Sequence, residues 1–293
     1  MNLSNMLTTT TVEFSPEYKK DSLEIIGNPV VSGELDRVSH ILNIVRNKSG
    51  VKYFAKVVSK NTFPIGTGLS SSASAFAALA VAASAASGQK LSEKDLSILA
   101  RHGSGSACRS IPSGFTRWIA GKTDNTSFAV SVYPPDYWKI VDIVALVSNF
   151  RKEISSTDGH KIAHTSQFFK TRLKNLPGKI AQINKFIKTK NFEKFGEMVE
   201  SEALELHSIM TTSNPPLIYL TPESIRLIKQ IQTWRREGTP VYFTLNTGQD
   251  VHLICEQKTA GVVTRKLKSL DYVKDIIKNT PCTGAHLVSQ HLF

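Results

Sequence analysis

The apolar positions of this chain change period along its length. Near the start they are β-branched or alternate, as in TTTTVEF (8–14) and VKYFAKVV (51–58), which is the pattern of strands. Between these, Leu35, Val38, Ile41, Leu42 and Val45 recur at helical spacing within ELDRVSHILNIVRN (34–47). Residues 69–88 are rich in Ala and Ser and read as a buried helix. SEKDLSILARHGSGS predicts another helix, with Ser92 as N-cap, Glu93 and Asp95 in the first turn and Gly103 at its end. Strands follow at FAVSVY (128–133) and 140–148. The second half turns helical at 161–175, 177–188, 192–211 and 222–237. Two short strands (239–245 and 251–256), a last helix and a Gly284 region close the chain. The pattern predicts an α+β protein in two halves, 1–150 and 151–293, with no internal repeat and no long linker.

Composition narrows the class. The chain has 293 residues, of which 41% are apolar, 20% charged and 8% aromatic, which excludes wholesale disorder, collagen and coiled coil. No run of apolar residues is long enough for a membrane span. The N-terminus lacks the basic-then-apolar order of a signal peptide. Cys108, Cys255 and Cys282 are widely spaced with no CxxC, so neither a disulfide framework nor a zinc site is expected, and a reducing cytoplasm is. The net charge of +12 suits a partner rich in phosphate. The positive charge is spread out, however, and no base-reading motif accompanies it, so neither nucleic acid nor membrane is an expected partner. Its densest stretch, 170–194, reads as an amphipathic helix with Leu173, Leu176, Ile180, Ile183 and Phe186 on its apolar face.

Two segments carry candidate chemistry. In TFPIGTGLSSSASAFAALA (62–80) a Gly-rich turn with Gly66 and Gly68 runs into a helix that opens with Ser70, Ser71 and Ser72. Unpaired first-turn N–H groups and the helix dipole attract an anion there, and the hydroxyls add donors. It is not a Walker A loop, since no Gly-Lys-Ser/Thr follows. A tightly packed small-residue helix would have the same composition. In GSGSACRSIPSGFTRW (103–118) a second Gly/Ser turn carries Ser104, Ser106 and Arg109, whose planar fork suits a phosphate or carboxylate. A flexible loop with a surface arginine is the alternative. His102, His164, His207 and His252 are scattered, and no metal site is expected from them. Cys108 reads as a packed small residue, and Trp118, Trp138 and Trp234 as core.

Together these segments resemble the mevalonate diphosphate decarboxylases of the GHMP kinase superfamily. TFPIGTGLSSSASAFAALA resembles that family's phosphate loop, and GSGSACRSIPSGFTRW its second signature. SSTDGHKIAHTSQFF (155–169) resembles its Ser-Ser-x-x-Gly-Met segment, with His160 where Met is usual. LELHSIMTTSNPPLIYL (204–220) is similar to its His-containing helix followed by Pro-Pro. The resemblance implies a GHMP-kinase-like two-domain fold, with a ribosomal-protein-S5-like N-terminal ATP-binding half and a ferredoxin-like C-terminal half. It implies MgATP-dependent phosphorylation of the 3-hydroxyl of diphosphomevalonate, followed by loss of phosphate and CO2. ATP phosphates would lie on Gly66, Gly68, Ser70, Ser71 and Ser72, and the substrate on Ser104, Ser106, Arg109, Ser155 and Ser156, with Arg109 holding the carboxylate. A cytoplasmic homodimer is also implied.

Two departures bear on activity. The family turn Phe-Thr-x-Asp-Ala-Gly-Pro-Asn reads here Phe243-Thr244-Leu245-Asn246-Thr247-Gly248-Gln249-Asp250, so Asn246 takes the catalytic aspartate's place. An amide accepts no proton at neutral pH. Asp250 is either a substitute carboxylate or a solvent-facing turn residue. The family's first strand, with a substrate-binding tyrosine and an active-site lysine, would precede Met1, so the N-terminal half is expected to lack it. A kinase that does not decarboxylate, a phosphomevalonate decarboxylase and an inactive homologue are the alternatives these departures raise.

Overall fold

The computed structural model describes residues 1–64, 69, 71–148 and 156–293. They form two compact units. The first comprises Met1–Phe63, Ser70–Tyr137 and Thr280–Phe293, and the second Trp138–Asn279 together with Pro64 and Leu69. The expected joint at 150 is therefore displaced: the strand at 140 belongs to the second unit, and the last residues return to the first. The reason is pairing, since the 140 strand finds both its neighbours among later strands.

In the first unit, β1 (Thr8–Ser15), β2 (Ser22–Ile25) and β3 (Phe54–Asn61) make a sheet with β3 central. β1 runs antiparallel to β3 from Thr8 opposite Asn61 to Ser15 opposite Phe54, and β2 runs parallel to it. The helices α1 (Glu34–Ser49), α2 (Ser71–Ala86) and α3 (Glu93–Gly103) form one core with this sheet. Val38, Ile41, Leu42 and Val45 of α1 are buried, as their spacing requires, and each contributes about 1.5–3 kcal/mol. Gly50 ends α1 in the left-handed region at φ 80°, and its N–H closes on the Arg46 carbonyl at 2.8 Å. Ser92 caps α3 by accepting the Asp95 N–H at 3.1 Å, as expected. β4 (Phe115–Ile119) and β5 (Phe128–Tyr133) pair as a hairpin. The C-terminal segment binds beside it, with Gly114 N–H on the Cys282 carbonyl at 2.9 Å and Ala285 N–H on the Ser110 carbonyl at 2.8 Å.

The second unit contains β6 (Ile140–Leu146), α4 (Ser156–Ile162), α5 (Phe169–Thr189), α6 (Phe192–Thr211), α7 (Pro222–Arg236), β7 (Val241–Leu245), β8 (Val251–Glu256), α8 (Ala260–Lys268) and β9 (Asp275–Asn279). Its antiparallel sheet has the order β7-β8-β6-β9. One face is apolar throughout, with Val141, Ile143, Ala145, Phe243 and Leu253 packed with Leu227, Ile231, Val263 and Leu267 from α7 and α8. Asp142 and His252 meet on the other face. β7 is an edge strand, and its outward backbone groups are taken by an ion pair. Glu200 of α6 accepts the Phe243 N–H at 3.1 Å, while Arg235 of α7 holds Glu200 at 2.6 Å and donates to the Val241 carbonyl at 3.1 Å. This satisfies an edge that would otherwise invite another strand.

Several expectations are corrected. The two helices predicted at 161–175 and 177–188 are one, α5, which runs through Pro177. Arg172 and Lys179 flank the proline and both grip α6, Arg172 on Glu205 at 2.8 Å and Lys179 on Glu202 at 2.5 Å. Tertiary pairing thus overrides the lost helix hydrogen bond. Leu173 is 52% exposed and so lies off the apolar face assigned to it. β2, β4 and β9 were not predicted, because SLEI, FTRWI and DIIKN are short and mix charge with apolar residues.

Candidate functional site

In the first unit the two serine motifs meet. Ser72 Oγ, in the first turn of α2, lies 3.3 Å from Ser104 Oγ, and Ser104 Oγ lies 3.4 Å from Ser106 Oγ. Each hydroxyl is partly buried, so the three form a row beside a helix N-terminus that has no acidic residue in its first turn. Fixed hydroxyls and a positive dipole end are the elements of an anion cradle. Ser104 occupies its place because α3 stops there and a 3-10 helix, Gly105–Ser110, begins. α3 fits closely on α2 at this junction: a Cβ on Gly103 would stand 2.1 Å from the Phe76 ring. Arg37 reinforces it by donating to the Gly103 carbonyl at 2.7 Å while covering the Phe76 ring at 4.6 Å.

Arg109 stands exposed at the end of that 3-10 helix, 5.9 Å from the Trp118 ring. Trp118 is 37% exposed, which corrects its assignment to the core, whereas Trp138 and Trp234 are buried as expected. Its Nε1–H is fixed on Ser127 Oγ at 3.0 Å, so it offers Arg109 a held aromatic surface. Cys108 is fully buried and its thiol is pushed up by burial, the behaviour of a packing residue. Of the other residues predicted for the cradle, Ser71 opens α2, and Gly66, Gly68 and Ser70 lie outside the described residues.

In the second unit the turn between β7 and β8 presents Asn246, which is held at two points. His207 of α6 donates Nε2–H to the Asn246 carbonyl at 3.0 Å. Asn246 Nδ2 lies 3.2 Å from His252 Nε2, and His252 Nδ1 lies 3.0 and 3.1 Å from the two oxygens of Asp142. Burial holds the His207 pKa below the usual imidazole value. Burial presses on His252 in the same direction, but the Asp142 and Asp250 carboxylates outweigh it and hold its pKa above that value. His207 and His252, scattered along the sequence, thus come together to flank Asn246. Asp250 is 3% exposed and its Oδ1 accepts the Val147 N–H at 3.1 Å. It is neither a solvent-facing turn residue nor a carboxylate free to stand in for residue 246. Among the described residues no group of three His, Cys, Asp or Glu side chains could hold a metal ion.

The two remaining family-like segments also pack on each other. Gly159 of α4 faces Tyr219 so closely that a Cβ would lie 2.4 Å from the Tyr219 hydroxyl, and Thr165 Oγ1 accepts the Asn214 N–H at 2.7 Å. Ser155 lies outside the described residues, and Ser156 is described only as the first residue of α4. Asp142 and His252 were missed as a pair because 110 residues separate them. Their signal was a carboxylate and an imidazole on strands that otherwise read as continuous core.

Comparison with known proteins places both units. Residues 1–129 match a diphosphomevalonate decarboxylase-like N-terminal domain, and residues 142–287 a mevalonate 5-diphosphate decarboxylase C-terminal domain. A diphosphomevalonate decarboxylase of Ganoderma lucidum is 28% identical over 256 residues, covering 80% of this chain and 63% of that protein. One from Debaryomyces hansenii is 30% identical over 282 residues, covering 90% of this chain and 72% of that protein. The crystal structure of mevalonate diphosphate decarboxylase from Staphylococcus aureus superposes with a TM-score of 0.89 at 34% identity, covering 97% of this chain and 86% of that one. A structure of MDDEF in complex with MVAPP, AMPPCP and magnesium superposes with a TM-score of 0.89 at 36% identity, covering 96% and 87%.

Proposed function

The chain belongs to the diphosphomevalonate decarboxylase family, and we propose that it carries out that family's reaction, the ATP-dependent decarboxylation of 5-diphosphomevalonate to isopentenyl diphosphate, ADP, phosphate and CO2. The observation that carries this reading is the hydroxyl row Ser72–Ser104–Ser106, which joins the phosphate-loop helix to the arginine-bearing motif. The domain assignment follows: the N-terminal half binds ATP, and the C-terminal half supplies residue 246.

The residues divide the work by chemistry. Ser71 and Ser72 at the α2 N-terminus donate to phosphoryl oxygens, together with Gly66, Gly68 and Ser70 of the same motif. Mg2+ arrives on the nucleotide's phosphates, keeps much of its water and needs few protein oxygens, so serine hydroxyls fit it without a carboxylate cluster. It neutralises charge on the transferred phosphoryl group. Ser104, Ser106, Ser155 and Ser156 bind the substrate. Arg109 holds the substrate carboxylate by its fork. In the first step the 3-hydroxyl oxygen bonds to the γ-phosphorus as the bond to ADP breaks, and the hydroxyl's proton passes to an oxygen of the phosphates themselves. In the second, the C–C bond to the carboxylate supplies the electron pair of the new double bond while phosphate leaves. Arg109 keeps the carboxylate in place until it departs as neutral CO2. Asn246 accepts a hydrogen bond from the hydroxyl and takes no proton. A cytoplasmic location fits three unpaired cysteines, and among the described residues no helix is long and apolar enough to cross a membrane. A homodimer is part of the same reading, with exposed Leu173 and Leu204 available to an interface.

The amide at 246 favours a second reading, a kinase that phosphorylates the 3-hydroxyl without decarboxylation. Measuring ADP and CO2 released from diphosphomevalonate and MgATP separates the two. A one-to-one ratio establishes the decarboxylase. ADP alone establishes the kinase, and neither product sinks both.

A further inference from the structure

An amide side chain has a donor end and an acceptor end of nearly the same shape, so its partners decide which end faces which way. Asn246 is half-buried, and its Nδ2 lies 3.2 Å from Nε2 of a fully buried histidine. For that contact to be a hydrogen bond, His252 must be the neutral tautomer with its proton on Nδ1 and a lone pair on Nε2. Asp142 selects this tautomer, because its two oxygens stand 3.0 and 3.1 Å from Nδ1. Among the described residues nothing donates to Asn246 Oδ1. The chain Asp142–His252–Asn246 therefore ties down the donor end and leaves the acceptor end outward.

We propose that Asp142 and His252 form a buried lock that sets which end of the Asn246 amide is presented, and that they are positioning residues for the hydroxyl to be phosphorylated. The proposal rests on the function given above. With Oδ1 outward, the amide accepts the hydroxyl's hydrogen and leaves the oxygen lone pair free to meet phosphorus. A proton added at His252 Nε2 would set a donor against a donor. Rotation of the amide relieves this, putting Oδ1 on Nε2–H and the NH2 group outward. An outward NH2 donates to the hydroxyl oxygen and occupies the lone pair that must react.

Among the described residues the groups near His252 are few. β6 contributes Asp142, the β7–β8 turn contributes Asp250, and α6 contributes His207, kept neutral by burial and bound to the Asn246 carbonyl. From β9 comes only an amide, Asn279, whose Nδ2 reaches the Asp142 carbonyl at 3.5 Å. Two carboxylates and, among the described residues, no cation favour protonation, so the amide turns at a pH above the ordinary imidazole value of about 6.5.

The test uses the whole protein labelled with 15N. The Asn246 side-chain NH2 signal is assigned by its loss in Asn246→Asp, and the His252 ring by its loss in His252→Gln. In the free wild type, the two should shift with one shared midpoint above pH 6.5, and in Asp142→Asn both midpoints should move down together. In parallel, kcat for ADP release should rise tenfold per pH unit below that midpoint while KM stays flat. His252→Gln, whose amide oxygen accepts from Asn246 at every pH, should lose this dependence. An Asn246 signal that ignores the titration of His252 overturns the lock. A wild-type pH profile in His252→Gln overturns its role in the reaction. Absence of ADP from the wild type at every pH, with the two signals still coupled, overturns the proposed function and leaves the lock as a structural device.

Discussion

Ser72 and Ser104, 32 residues apart in sequence, bring their hydroxyl oxygens to within 3.3 Å of each other. The contact joins the first turn of the Ala-rich helix α2 to the residue where α3 gives way to the 3-10 helix. Both hydroxyls are partly buried, so either can turn to a ligand oxygen without leaving a sealed polar atom behind. A hydrogen bond to a charged group contributes about 1.5–3 kcal/mol. Ser72→Ala and Ser104→Ala should each lower kcat/KM by about 10- to 150-fold, at about 1.4 kcal/mol per factor of ten. Thermal stability should stay close to that of the wild type. Steady-state kinetics with each substrate varied in turn would show it. A loss under threefold in both variants would remove this row from the site.

Residue 246 and Asp250 can be told apart by substitution. Asp250 is nearly sealed, and its Oδ1 takes the Val147 N–H at the end of β6. Asp250→Asn keeps an acceptor there and should keep both fold and activity. Asp250→Ala strands that N–H at a cost of about 1–3 kcal/mol and should lower the midpoint of urea unfolding. Asn246→Asp restores a carboxylate at the turn and should raise the rate of ADP release, on the order of 100-fold, since a positioned general base contributes about 10²–10⁴. Should Asp250→Asn abolish turnover while Asn246→Asp leaves it unchanged, the two roles would be reversed.

Gly284 is where the C-terminal segment packs on residues 110–113, which follow Arg109 in the chain. Its N–H binds Ser113 Oγ at 3.0 Å, and a Cβ there would lie 1.9 Å from the Ile111 carbonyl oxygen. That neighbour is backbone and cannot swing aside as a side-chain end would. Gly284→Ala should therefore shift the 109–113 segment and cost about 1–3 kcal/mol, as overpacking does. The expected signature is a combined one: a lower melting temperature, and a raised KM for the phosphorylated substrate with the KM for ATP less affected. An unaltered melting temperature would show that the segment yields without cost.

Most of the fold was legible where burial is one-sided and periodic. The helix at 34–49, the capped helix after Ser92 and the strand pair around residue 246 follow from spacing alone. The serine row was legible as two motifs but not as one site, because no local pattern says that Ser72 and Ser104 touch. Pro177 misled for a related reason: the pairs Arg172–Glu205 and Lys179–Glu202 that carry the helix past it lie on another helix. The Asp142–His252 pair was hidden in strands whose other residues, Glu256 at the end of β8 excepted, are apolar and buried. A sequence reading assigns such residues to core, and only the three-dimensional pairing shows that a charge has been placed there.

The two histidines beside Asn246 carry opposite signs in their effect on stability. His207 has its pKa lowered by burial, so below the unfolded value of about 6.5 the unfolded chain binds the proton more readily. Its contribution is therefore present above that pH and is lost as pH falls through the lower folded value. His252 has its pKa raised, so its contribution is present below about pH 6.5 and is lost as pH rises through the higher folded value. The wild type should thus lose His207's share on acidification and His252's share on alkalinisation. His207→Gln separates the two, since glutamine can still donate to the Asn246 carbonyl but does not titrate. Its urea midpoint should fall less between pH 6.5 and 5 than that of the wild type, while the two proteins keep the same slope between pH 7 and 9. Parallel curves below pH 6.5 would mean that His207 titrates in the folded protein as it does in the unfolded chain, and that the Nε2–H donated to Asn246 is not what holds the turn in place.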